Sequence, residues 1–289
     1  MPLKYFFSIL FIFCQYIIST SSFAQCESES ALCAPVGQWK LSVGVGAGVY
    51  TNPLYDSKNI PLIVVPSISY YGERVFFQNN TLGYTLIEGE QLTLSIITKA
   101  NVEKAFFTRW HPKNIFIPNL SNDFVESVPS FGASIKISPD KVKKRKWALD
   151  AGIQLNWFVS DSINAELQIL HDVNSVYDGF NGNVEVSKLF GVTAESSLEL
   201  TLGLQWNSAN LVDYYYGIDD SDSIYERDFF EGKSSINPYL SIGYAYKLSS
   251  DWMFKTYLKR KKLDSNTYLS PLIEERYVDL MFVGFFYEF

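Results

Sequence analysis

Hydrophobic and polar residues alternate with a period of two along most of this chain, as in strands that show each face to a different solvent. Trp39, Leu41, Val43, Val45, Ala47 and Val49 share one face, opposite Lys40, Ser42, Gly44, Gly46 and Gly48. Trp147, Leu149, Ala151, Ile153, Leu155 and Trp157 likewise oppose Asp150, Gly152, Gln154 and Asn156. Leu198 to Trp206, Ile163 to Ile169, Ile242 to Leu248 and Phe131 to Ile137 follow the same rule. The pattern predicts strands over 38–50, 61–71, 74–86, 91–102, 129–138, 147–158, 162–171, 182–190, 197–207, 236–248, 252–262 and 277–289, twelve in all. The pattern is weakest in 74–86, where the phase slips near Asn79-Asn80, and in 129–138, so ten or fourteen strands also fit.

Alternation alone fits a soluble sandwich as well as a transmembrane barrel, whose apolar face meets lipid and whose polar face lines the lumen. Three features favour the barrel. Trp39, Trp147, Trp157, Trp206 and Trp252 lie near ends of apolar faces, where an interfacial girdle belongs. The chain closes on the aromatic strand Tyr277–Phe289, long enough to cross a bilayer at a tilt. Met1–Ala24 has one charge, Lys4, an apolar run and a Ser22-Phe-Ala24 end, and reads as a cleaved secretory signal. The expected organisation is a signal peptide at 1–24, a periplasmic tail at 25–37 and an all-β, antiparallel up-and-down transmembrane barrel at 38–289. The expected place is the outer membrane.

Composition agrees. Hydrophobic residues make up 47% and aromatics 16%, yet mean hydropathy is zero, because alternation cancels it. A net charge of −7 argues against nucleic acid as a partner. Once the signal is removed with Cys14, Cys26 and Cys33 remain, and export makes a disulfide between them the expected state.

With both termini periplasmic, the short turns at 72–73, 160–161, 191–196 and 249–251 face the periplasm, and the connectors 51–60, 172–181, 208–235 and 263–276 face outward. The segment 103–128 then becomes a long periplasmic connector. No constellation predicts catalysis or a cofactor. His171 and Asp172 are neighbours on a strand end, where their side chains diverge, and His111 is remote in sequence. The run Lys141, Lys143, Lys144, Arg145 and Lys146 falls at an outward strand end, as does Lys259-Arg-Lys-Lys262. Arg/Lys clusters there suit the phosphates of lipopolysaccharide. The Tyr-rich connector Asp213-Tyr-Tyr-Tyr-Gly-Ile-Asp-Asp220 either folds over the mouth or offers a contact surface.

The chain resembles the MipA/OmpV family of outer-membrane proteins. The resemblance rests on Trp39–Tyr50 with Asn52-Pro-Leu-Tyr-Asp56, Tyr70-Tyr-Gly-Glu-Arg-Val-Phe-Phe77 with Leu82-Gly-Tyr84, His171-Asp-Val173, Asp213–Asp219, Ser270-Pro-Leu272 and Gly284–Phe289. The terminal Phe289 also resembles the assembly signal of such barrels. The resemblance implies a non-enzymatic barrel. In one family member it implies a scaffold between a murein transglycosylase and a penicillin-binding synthase. The expected contact surface is the tail 25–37 with the connector 103–128. A narrow pore and a surface adhesin using the Tyr-rich loop are the alternatives.

Overall fold

The computed structural model describes residues 36–108, 136–222 and 229–289. Strands β1 (Trp39–Tyr50), β2 (Ile60–Tyr71), β3 (Val75–Gln78), β4 (Thr81–Glu88), β5 (Leu92–Ala100) and β6 (Leu149–Ser160) make the first half of a barrel. Strands β7 (Ile163–Asp172), β8 (Phe180–Gly191), β9 (Ser196–Asn207), β10 (Ser235–Lys247), β11 (Trp252–Lys262) and β12 (Tyr277–Glu288) make the second. Every neighbour in sequence pairs antiparallel. β12 returns to β1, with Ser42 opposite Glu288 and Tyr50 opposite Leu280, so the ring of twelve strands closes.

The apolar faces point out of the barrel. Val64 is 57% exposed, Leu202 59% and Phe285 49%, tolerable only if lipid covers them. Trp39, Trp157 and Trp252 ring the short-turn end, and Trp147 and Trp206 the other, giving two girdles.

Inside, glycines face aromatics across the ladder. Gly44 opposes Phe286, Gly48 opposes Phe282, Gly83 opposes Phe76 and Gly203 opposes Tyr239. A Cβ on Gly44 would come within 2.5 Å of the Phe286 ring. The Gly44-x-Gly46-x-Gly48 face is therefore small so that β12 rings can lie across it. This wall is greasy. The wall from β5 to β11 is polar instead. Lys99 Nζ donates to Gln168 Oε1 at 2.5 Å, and Gln168 Nε2 donates to Gln154 at 3.0 Å and Glu166 at 2.8 Å. The Tyr239 hydroxyl lies over Gly203 and donates to Asn183 Oδ1 at 2.9 Å.

The count of twelve holds, but two predicted strands are corrected. The expected strand 74–86 is a hairpin, β3 and β4, turning at Asn79-Asn80, with Asn79 at φ 51°. Asn tolerates that left-handed turn conformation. The expected strand 129–138 is not one over its described residues 136–138. One strand gained and one lost keep the sum but move the long connector. Both of its described flanks, 101–108 and 136–148, stand on the rim that carries 51–59, 173–179, 208–234 and 263–276. The placement of 103–128 among the short turns is thus overturned for 103–108, while 109–128 lie outside the described residues.

Candidate functional site

The packed hydrophobic core of this molecule sits at the long-loop mouth. Helix α1 (Ala209–Tyr216) is its centre. Ser208 caps it, its Oγ accepting from Leu211 N at 3.5 Å, and Gly217 ends it, its N–H donating to the Asp213 carbonyl at 2.7 Å. Leu211, Val212, Tyr215 and Tyr216 are fully or almost fully buried. They pack with Leu54, Phe106, Ile137, Tyr177, Leu272 and Ile273, drawn from the other four long connections. A short helix α2 (Ser265–Tyr268), capped by Asp264, precedes Ser270, whose Oγ donates to the Tyr216 carbonyl at 2.6 Å.

Buried polar pairs fix this cap. The Tyr216 hydroxyl donates to Glu103, whose other oxygen lies 3.7 Å from Lys261 Nζ. Asp150, 0% exposed, accepts from the Tyr177 hydroxyl at 2.6 Å, Asn181 Nδ2 at 2.7 Å and Asn101 Nδ2 at 2.8 Å. Arg145, 4% exposed, donates to the Gly217 carbonyl at 2.9 Å and sits 3.8 Å from Asp222. Burial pushes its guanidinium down from the ordinary value, and Asp222 works against that. Burial likewise pushes the Tyr215 and Tyr216 hydroxyls up, so they stay protonated donors.

Below the cap the lumen opens by degrees. Asn237, Ser241 and Gln168 are buried, whereas Glu199 and Lys247 near the short turns are exposed. The long-loop mouth is thus covered by the cap, while lumen-facing Glu199 and Lys247 near the short turns reach solvent. Each short turn carries one exposed acid: Glu73, Glu90, Asp161, Glu195 and Asp251.

Of the predicted basic contact, Lys141, Lys143, Lys144 and Lys146 are exposed on the long-loop rim, but Arg145 is turned into the cap. The pleat splits the second run: Lys259 and Lys261 face the lumen, while Arg260 faces out and grips Asp279 with two 2.7 Å bonds. His171 packs on Phe180 at 4.6 Å on the outer face, and Asp172 points inward to bond the backbone of 174–178. The two do diverge. Cys26, Cys33 and His111 lie outside the described residues. The Tyr-rich connector takes the first of its two expected forms, folding over the mouth with Tyr215 and Tyr216 inside it.

A closed barrel of twelve strands, greasy outside and girdled with Trp, is an outer-membrane β-barrel by class, with short turns periplasmic and long loops extracellular. Within that class the family described as MltA-interacting protein MipA matches residues 45–289, and this chain belongs to it. The chain is similar to MltA-interacting protein of Escherichia coli (strain K12), 24% identical over 263 residues, which is 86% of this chain and 90% of that one. It is similar to the putative outer membrane protein YiaT of the same organism, 25% identical over 243 residues, 81% of this chain and 85% of that one. Among solved structures it is similar to an outer membrane channel from Pseudomonas putida F1, 10% identical, TM-score 0.43, over 89% of this chain and 97% of that one.

Proposed function

We propose that this protein is a closed, non-enzymatic platform in the outer membrane that holds murein-processing enzymes at its periplasmic face. The observation that carries the reading is the cap. Fifteen buried hydrophobic residues close the extracellular mouth, which disfavours a pore, and the loop tyrosines an adhesin needs are among them. A relative whose name gives it a murein transglycosylase partner supports the choice of partner. A penicillin-binding synthase is the second partner the scaffold reading calls for.

The periplasmic surface on offer is the five acidic turns, and the tail 25–37 is tested separately from them. Charged rims steer partners and set register more than they add affinity. The test is capture of a lytic murein transglycosylase by the detergent-solubilised protein. Deleting 25–37, or replacing Glu73, Glu90 and Glu195 with Lys, should reduce capture, and undiminished capture by both variants would remove this face from the account.

A further inference from the structure

Among the described residues the barrel wall is notched on its extracellular half. β2 pairs with β3 only over Ser69–Tyr71, and the β3–β4 hairpin ends at Asn79-Asn80, level with Ile68. Ile60–Ser67, about 26 Å of strand, has β1 on one side and no strand on the other among the described residues. Pro61 and Pro66 lie in this stretch, and proline in a sheet belongs at an edge. An open edge in hydrocarbon is costly, so polar groups must reach it.

The two connections flanking that hairpin, β1–β2 and β5–β6, line a cavity of about 730 Å³. Its lining holds five cations, Lys58, Lys104, Lys143, Lys144 and Arg145, against two acids, Asp56 and Asp140, in a chain whose net charge is −7. Its floor is apolar, with Phe106, Phe107 and Val142. Lys143 reaches Ser221 at 2.8 Å and Asp219 at 3.8 Å, but Lys58 and Lys144 meet no carboxylate among the described residues. Burial lowers the Lys104 ammonium, and the neighbouring charge of Lys144 lowers it further. Like charges gathered over an apolar floor want an anion with a greasy body.

We propose that this cavity takes the phosphorylated headgroup of an amphiphile from the outer leaflet, the polar head reaching the open β2 edge and its acyl chains passing on into the leaflet. Lys58, Lys104 and Lys144 then contact the phosphate, and Phe107 and Val142 contact the body. The site is extracellular and stands or falls apart from the periplasmic platform. It also differs from a general basic belt, because Lys141 and Lys146 belong to the same run but not to the cavity lining.

The test is calorimetric titration of the full-length protein in neutral detergent with bis-phosphorylated lipid A in mixed micelles, and separately with inorganic phosphate. K104Q/K144Q, and K58Q on the other connection, should each weaken lipid binding about tenfold, some 1.4 kcal/mol, while K141Q/K146Q stays within about twofold. All variants should keep the heat-sensitive gel mobility of a folded barrel, and K58Q, one change on a separate loop, guards against misfolding of the double variant. Equal weakening by both double variants would reduce the site to surface attraction and overturn it. Inorganic phosphate binding as tightly as the lipid would overturn the amphiphile, and no binding by the unaltered protein would overturn the site.

Discussion

The Tyr216 hydroxyl donates to Glu103, joining the extracellular helix to the start of the long β5–β6 connection across 113 positions of sequence. Glu103 also faces Lys261 at the top of the lumen, so this pair links cap to barrel. Tyr216→Phe should leave a buried carboxylate one donor short and cost about 1–3 kcal/mol. Glu103→Gln should cost a similar amount by taking the carboxylate from buried Lys261, which then keeps only its 3.0 Å bond to Gln205 Oε1 among the described residues. Thermal unfolding followed by gel mobility reads the loss. A shift below the resolution of that assay in both variants would mean that the cap is held by its apolar contacts alone.

The seam between β1 and β12 makes a second prediction. A Cβ on Gly44 meets the Phe286 ring first, which can turn aside, whereas one on Gly46 overlaps the Val283 carbonyl, which cannot. Gly46→Ala should therefore hinder barrel closure more than Gly44→Ala, with about 1–3 kcal/mol at stake. Phe286→Ala should rescue Gly44→Ala and leave Gly46→Ala unrescued. The yield of heat-modifiable barrel checks both orders.

Arg145 and Asp222 are buried together, and the guanidinium also holds two carbonyls of the α1 end, Tyr215 and Gly217. Removing one partner of a buried pair costs about 3–5 kcal/mol. Arg145→Ala should loosen α1 and admit protease to 209–222, and Arg145→Met with Asp222→Asn, which removes the unpaired charge but keeps an acceptor for the Lys143 or the Asp219 N–H group, should recover part of the protection. Limited proteolysis on whole cells reads this directly.

Asp219 gives the cap a pH dependence. The Ser221 hydroxyl, then its backbone N–H and Lys143, hold the Asp219 carboxyl below its ordinary value, although burial opposes them. A depressed carboxyl adds stability that is complete above the unfolded value near ~3.9 and is lost as pH falls through the folded one. Amide exchange at 219–222, corrected for intrinsic rate, should be level from neutral pH to about pH 4 and rise below it. Ser221→Ala should move that rise to higher pH.

The barrel was legible because lipid enforces strict alternation, so the apolar faces of β1, β6, β7, β9 and β10 are where the pattern puts them. What escaped was where apolar residues serve another purpose. Ile137 continues an alternating run, yet its N–H donates to the Pro271 carbonyl at 2.9 Å and its side chain joins the mouth core. The Asn79-Asn80 slip was visible, but a two-residue turn inside an amphipathic stretch leaves the same trace as a bulge. Helix α1 had a readable signal: Leu211, Val212, Tyr215 and Tyr216 repeat at helical spacing between Ser208 and Gly217. Half-buried Tyr214, between Asp213 and Tyr215, blurs that spacing, because its aromatic ring gives the stretch no clean polar side. The cavity was beyond sequence, since Lys58 and Lys144 meet only through the fold.

Current through the reconstituted protein tests the central claim most directly. In planar bilayers the unaltered barrel should show no steady conductance, because the cap seals the lumen, and Tyr216→Ala, which opens the core, should bring discrete openings. A stable ohmic current from the unaltered protein would contradict the closed platform.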